Sequence, residues 1–232
     1  MQTIMDKLTK YMTKFQWFEV LGVIGFTIYF AIIDKENPLW YILLSSAAAI
    51  SGIFCVVLCA GGKKAQYYWG FANVIAYVVV SWINKYYGEV MLNALYYLPS
   101  QFVGMYMWNK YQADDGESVK CRKMSPKKTG IFLIISFVMI WLYKMLLNAL
   151  GGNAAWLDST STTFSVIANA LMVMRYREQW ILWIIVDAVT VAMWMVAGDF
   201  IMTAMWAFYL LNACYGYITW TKMNKKENLV NE

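Results

Sequence analysis

The sequence predicts an all-α membrane protein of eight transmembrane helices. They form parallel duplicated three-helix units joined by a linking helix (3+1+3), plus an extra N-terminal helix. Three observations predict this. First, 61% of the 232 residues are hydrophobic and only 14% are charged, against about 25% charged in a soluble domain. Second, the apolar residues fall into runs near the ~20 residues that cross a ~30 Å hydrocarbon core as a helix. Third, one aromatic spacing appears twice along the chain.

The spans are expected at about 17–33, 39–60, 66–83, 88–108, 129–150, 157–174, 180–197 and 199–221. Backbone groups in lipid must be satisfied within the segment, so these runs read as helices and not as an open sheet. Those at 66–83 and 157–174 are short and carry polar residues. Lys7, Lys10 and Lys14 precede the first span and no small-residue cleavage site follows it, so the N-terminus reads as a retained anchor.

Basic residues are expected to gather on the cytoplasmic side of such a chain. With eight spans, one side holds Lys7, Lys10, Lys14, Lys63 and Lys64, the linker residues Lys110, Lys120, Arg122, Lys123, Lys127 and Lys128, then Arg175, Arg177, Lys222, Lys225 and Lys226. Lys35 and Lys85 fall on the other side, and Lys144 lies within the fifth span, where its long stem lets it snorkel. A wrong number of spans would scramble this segregation. Both termini are therefore expected in the cytoplasm, and the 109–128 linker reads as a solvated loop beside anionic lipid headgroups.

A shift of 114 residues lays Gln66-x-x-Trp69-x-x-x-Asn73 on Trp180-x-x-Trp183-x-x-x-Asp187, and a shift of 112 lays Tyr97, Gly104 and Trp108 on Tyr209, Gly216 and Trp220. The resulting division is a cytoplasmic segment and extra helix at 1–38, a first repeat at 39–108, the basic linker and linking helix at 109–156, and a second repeat with a cytoplasmic tail at 157–232. Four spans separate equivalent helices, so both repeats point the same way across the bilayer. In parallel repeats the substrate site is expected near the midplane, at the repeat interface.

Asp187 stands out among the ionisable residues of the spans. It lies about 10 Å into its helix, where a carboxylate costs about 2.5–3.5 kcal/mol and should face a cavity or a partner. Trp180, Trp183 and Asp187 follow i, i+3, i+7 spacing on one helical face, with Thr190 and Trp194 near it. Two indoles and a carboxylate suit a flat cationic ring, each indole face contributing about 0.5–2 kcal/mol. The plainer alternatives are an interfacial belt position for Trp180, beside Arg177 and Glu178, a lipid-facing Trp183, and a helix-packing role for Asp187. Trp69 and Asn73 hold the corresponding face of the first repeat. Asn73 offers donors and an acceptor for a ribose or carboxamide, although an interhelical hydrogen bond would explain it equally. Gln101, Asn93, Asn169 and Asn212 add amides in or near spans, and Tyr97 and Tyr209 are further candidates for the wall. The small run Ser45, Ser46, Ala47, Ala48, Ala49 and Gly52 favours close helix contact.

Several chemistries are excluded. With no histidine in the chain, there is no Ser-His-Asp or Cys-His nucleophile and no imidazole-ligated zinc or haem. Cys55, Cys59, Cys121 and Cys214 have no metal or redox spacing and read as small apolar filler. No phosphate-cradling Gly-rich loop is present. No cofactor, no nucleic-acid partner and no enzymatic activity are therefore expected.

The segment 66–108, with WGFAN at 69–73, Gly88, Tyr96, Tyr97 and Gly104-x-x-x-Trp108, resembles the PnuC family of bacterial vitamin transporters. So does 163–220, with Trp180, Trp183, Asp187 and Gly216-x-x-x-Trp220. The likeness runs from about residue 45 onward, and the first helix is a less usual extension. It implies a three-helix duplication similar to that of SWEET proteins, a homotrimer, and import of nicotinamide riboside, an NAD precursor, across the bacterial inner membrane. It further implies facilitated diffusion, with phosphorylation by a cytoplasmic kinase as the metabolic trap. Relatives in the family carry thiamine or riboflavin, so a carrier of thiamine or another vitamin is the alternative. A non-transporting membrane sensor is a more distant one. A membrane enzyme acting on lipid would need a nucleophile or an acidic cluster that the chain lacks.

Overall fold

The structure is a computed structural model that describes residues 12–85, 87–149, 155–197 and 200–230. Those residues are helical apart from turns and one extended linker, and no strand occurs among them. Two compact units divide the chain, 1–119 and 120–232. The extra N-terminal helix belongs to the first unit, and the linking helix to the second.

Unit 1 opens with α1, Lys14–Ile33, whose start is fixed by a capping box between Thr13 and Gln16. Its buried residues Gln16, Glu19, Val20 and Val23 recur at i, i+3, i+4 and i+7, the stripe that one helix lays against another. α1 packs on α2, Leu39–Ala60, and Gln16 Nε2 donates at 2.8 Å to the Val57 carbonyl, which also accepts Gly61 N–H at the end of α2. Asp34, between these helices, accepts from the side chain and backbone of Asn37 and from Glu36 N–H. The Asn37 side chain first, then those backbone donors, hold its carboxyl below the usual range.

α2 ends in a Schellman turn. Gly62, at φ 66°, donates to the Cys59 carbonyl, and Lys63 donates to Leu58. α3, Gln66–Ile83, follows directly. The next rod is not uniform: α4, Tyr87–Leu92, passes through a π-helical turn, Asn93–Tyr97, into α5, Leu98–Lys110. Pro99 has no N–H for the Leu95 carbonyl, and its ring crowds that carbonyl. The chain widens instead, and Leu98 N–H reaches back five residues to Asn93. Sequence periodicity predicts one helix over 88–108 and is blind to this bulge.

Unit 2 contains α6, Pro126–Ala149, α7, Ala155–Val173, α8, Gln179–Ala197, and α9, Phe200–Val230. Its core joins Met124, Ile167, Leu171 and Tyr176, with Phe132, Met174 and Leu182 packed around them. α9 continues nine residues past the expected end at 221, carrying Lys222, Lys225 and Lys226 on helical turns.

The turn between α7 and α8 repeats the Gly62 turn bond for bond. Arg175, at φ 67°, donates to Met172, and Tyr176 donates to Leu171. The first turns match as well: Gln66, Tyr67 and Tyr68 N–H reach Lys63, Lys64 and Ala65, while Gln179, Trp180 and Ile181 reach Tyr176, Arg177 and Glu178. The two turns therefore match in backbone geometry, and their register is 113 residues. That corrects the 114 read from the tryptophan spacing. Chance aromatic matches draw the alignment one residue too far, whereas the left-handed residue can sit at only one place in the turn.

By length and hydropathy, α1, α2 and Pro126–Leu146 of α6 can each cross a membrane, and Gln179–Ala192 is a shorter apolar segment. α3 falls short because Gln66, Tyr67, Tyr68, Trp69 and Asn73 crowd its first two turns. Phe137, Leu133, Ile134, Trp141 and Leu142 of α6 are exposed, the surface of a lipid-facing helix and not of a soluble one.

Candidate functional site

In unit 2 the candidate residues lie on α8 and α9, which pack together. Trp180, 4% exposed, stands edge-on to Trp220 at 6.0 Å. It also covers Gly216, where a Cβ would lie 2.6 Å from the indole. In this structure Trp180 serves the packing of α8 on α9. Trp183 is half-buried one turn on, and Asp187 is buried a further turn along. Thr190 donates to its own helix, at the Val186 carbonyl.

α8 ends at Ala197 and α9 begins at Phe200, so two packed helices with so short a connection run antiparallel, with the start of α8 against Gly216 and Trp220. Seven residues back from Gly216 lies Tyr209, so Asp187, Tyr209 and Asn212 fall at about one depth. Tyr209 is half-buried, edge-on to Trp206 at 5.5 Å, and Asn212 is buried. Trp194 has a side chain outside the described residues. Asn169 is buried on α7.

In unit 1, Trp69 of α3 stacks on Phe54 of α2 at 4.5 Å and 19° and remains 37% exposed. Asn73 donates to the Ala48 carbonyl at 2.8 Å. The interhelical bond that its position in the sequence allows is therefore present, reaching into the small-residue run of α2, with its side-chain oxygen left as acceptor. Gln101 of α5 is buried over Gly70, where a Cβ would lie 2.5 Å from Oε1. That oxygen has no hydrogen-bond partner among the described residues. Tyr97 packs against Tyr96 at 5.3 Å, and its carbonyl accepts the Ser100 hydroxyl. Asn93 spends its Nδ2 on the carbonyl and carboxylate of Glu89 within the same rod.

The 113 register changes what corresponds to what. Gly70, not Trp69, is the counterpart of Trp183, and Val74, not Asn73, is the counterpart of Asp187. Trp69 and Asn73 therefore stand about 100° round the helix from the positions that the aromatic spacing assigns them. The two units differ in chemistry at equivalent places. Unit 1 sets a bare glycine under an amide, and unit 2 supplies an indole and a carboxylate.

Three buried polar residues escape the sequence pattern. Glu19 of α1 is fully buried, with no partner for either carboxylate oxygen among the described residues. An acid two residues inside an apolar run is the available signal. Gln66 and Gln179, equivalent at 113, are both fully buried, and neither Nε2 has a partner among the described residues. Their signal is the Gln-aromatic pair after a basic residue pair, hidden by the misregister. Among the described residues no group of histidine, cysteine and acidic side chains could hold a metal, and all four cysteines are free.

These features define the class: a helical membrane protein of two tandem units, with polar groups buried along its middle and last helices. The family model described as Nicotinamide mononucleotide transporter matches residues 42–222. A nicotinamide riboside transporter PnuC of Neisseria mucosa is 37% identical over 222 residues, covering 91% of this chain and 83% of the relative. One of Haemophilus influenzae is 38% identical over 187 residues, covering 80% and 82%. A solved structure titled as the crystal structure of the vitamin B3 transporter PnuC superposes with a TM-score of 0.76 at 35% identity, over 92% of this chain and 93% of that one. The chain belongs to the nicotinamide mononucleotide transporter family, together with these PnuC relatives.

Proposed function

We propose that this protein imports nicotinamide riboside by facilitated diffusion across the bacterial inner membrane. The path runs through a central site between two three-helix repeats. Eight spans, cytoplasmic termini, a homotrimer and trapping by a cytoplasmic kinase complete the reading. The observation that carries it is the Trp183 and Asp187 face of α8, in a chain whose relatives at 37–38% identity are named nicotinamide riboside transporters.

The chemistry follows from the ligand. A pyridinium ring is flat and cationic, so an indole face attracts it, by about 2 kcal/mol once both are desolvated. The Asp187 carboxylate adds Coulomb attraction or accepts ribose hydroxyls. Gln101 Oε1 and the Asn73 side-chain oxygen are acceptors suited to the N–H donors of a carboxamide, and in this reading Trp69, Tyr97, Tyr209, Asn212 and Asn93 complete the wall. Trp180, the remaining candidate, packs the start of α8 on α9. No bond is made or broken, so the protein has only to desolvate, hold and release its cargo. Passive transport also needs binding that is moderate, because a tightly held solute leaves slowly.

Binding to the purified protein tests this. Nicotinamide riboside should bind better than thiamine or riboflavin, and Trp183→Ala should raise its Kd roughly tenfold. Thiamine winning the competition would move the protein to the alternative substrate. Unchanged binding by both Trp183→Ala and Asp187→Asn would move the site elsewhere.

A further inference from the structure

We infer that unit 2 carries a phospholipid headgroup site at the start of α6, where Arg122 and Lys128 converge on Tyr176 to hold the phosphate of an anionic lipid. The Arg122 guanidinium lies 4.9 Å from the centre of the Tyr176 ring, and the Lys128 ammonium lies 5.8 Å from the same centre. Lys128 Nζ also donates to the Tyr176 hydroxyl at 3.2 Å. Two cations are thus gathered on one buried tyrosine while their own side chains stay exposed to an approaching ligand.

The arrangement is built and not incidental. Arg122 N–H donates to the Arg175 carbonyl and its carbonyl accepts Arg177 N–H, so the linker is pinned along the left-handed turn. Arg175 reaches the Lys120 carbonyl at 3.0 Å, and Asn224 of α9 holds the Cys121 carbonyl at 3.1 Å. Nearby Glu178 is already engaged, by Arg177 at 3.1 Å and by Met124 N–H. Both cations lie within 6 Å of one ring centre, and a bound anion would be attracted to each.

Depth selects the anion. Lys128 lies in the first turn of α6, three residues before the apolar run that begins at Ile131, or about 4.5 Å along the axis. That is headgroup level, where the N-terminal end of the helix dipole also favours negative charge. Exposed Lys123, Lys127, Lys222 and Lys225 extend the field, each basic residue near an anionic surface adding to attraction.

Native mass spectrometry of the full-length protein tests this with phosphatidylglycerol against phosphatidylcholine. Retained phosphatidylglycerol should exceed phosphatidylcholine and fall roughly tenfold or more in R122Q/K128Q. The single K128Q variant should fall by a smaller factor and guards against misfolding of the double one. A charge-matched control in unit 1, K64Q/K110Q, should retain the lipid. Equal loss in that control, equal retention of both lipids, or displacement of the lipid by millimolar inorganic phosphate would overturn the assignment. The first would mean diffuse charge, the second no headgroup selection, and the third a site for free phosphate.

Discussion

Gly104 and Gly216 are glycines because an aromatic ring occupies the place of a side chain. A Cβ on Gly104 would strike the Tyr67 ring, and one on Gly216 would lie 2.6 Å from Trp180. Gly216→Ala and Gly104→Ala should each lose about 1–3 kcal/mol, the usual result of overpacking, and thermal unfolding in detergent measures it. At Gly25 nothing lies within 4 Å of the place a methyl group would take, so Gly25→Ala should be neutral or slightly stabilising. Asp115 supplies a pH test. Partial burial pushes its carboxyl up, but hydrogen bonds from Ser118, then Glu117 N–H and the Lys63 charge, outweigh this and bring it to about 2. Such a depressed carboxyl contributes stability above about 3.9, its ordinary value, and loses it as pH falls toward about 2. Asp115→Asn should therefore lower the melting temperature at pH 7, and the gap from wild type should narrow below about pH 4 and close near pH 2. The residue scale is also where the sequence is least legible. Trp180 and Trp183 look alike in a spacing pattern, and only packing against Trp220 separates the indole seated on α9 from the half-buried one proposed to meet a ligand.

At the scale of elements, the αL turns carry the duplication. Gly62 adopts its conformation freely, but Arg175 does so against a penalty of about 1–2 kcal/mol, sustained by its bonds to Met172, Arg122 and Lys120. Arg175→Ala should be the least stable, since it keeps the strained backbone and loses the guanidinium bond. Arg175→Gly should recover about 1 kcal/mol of that without reaching wild type, a ranking that unfolding temperatures report. Helix positions are legible to within a few residues because long apolar runs leave little choice. The π turn at Asn93–Tyr97 is not, since a single unmatched carbonyl before Pro99 leaves no mark on hydrophobic periodicity. Nor is the extension of α9 past 221, which is polar helix held by Asn224 and the linker instead of by lipid.

For the molecule as a whole, the two units share a backbone plan and differ in what they place on it. Here one half holds the Gln101 amide over a bare Gly70 and the other an indole and an acid at Trp183 and Asp187. Composition makes the membrane class legible, and charge segregation supports the orientation in the proposed reading. The pairing of residues across the repeat requires the turns, because aromatic residues are too common here to fix a register alone. The central claim is that the protein carries nicotinamide riboside passively, and counterflow in proteoliposomes tests it most directly. Liposomes preloaded with unlabelled riboside should accumulate labelled riboside transiently without ATP or an ion gradient, and Asp187→Asn should slow that uptake. No accumulation with active, correctly folded protein, or accumulation only when an ion gradient is imposed, would contradict it.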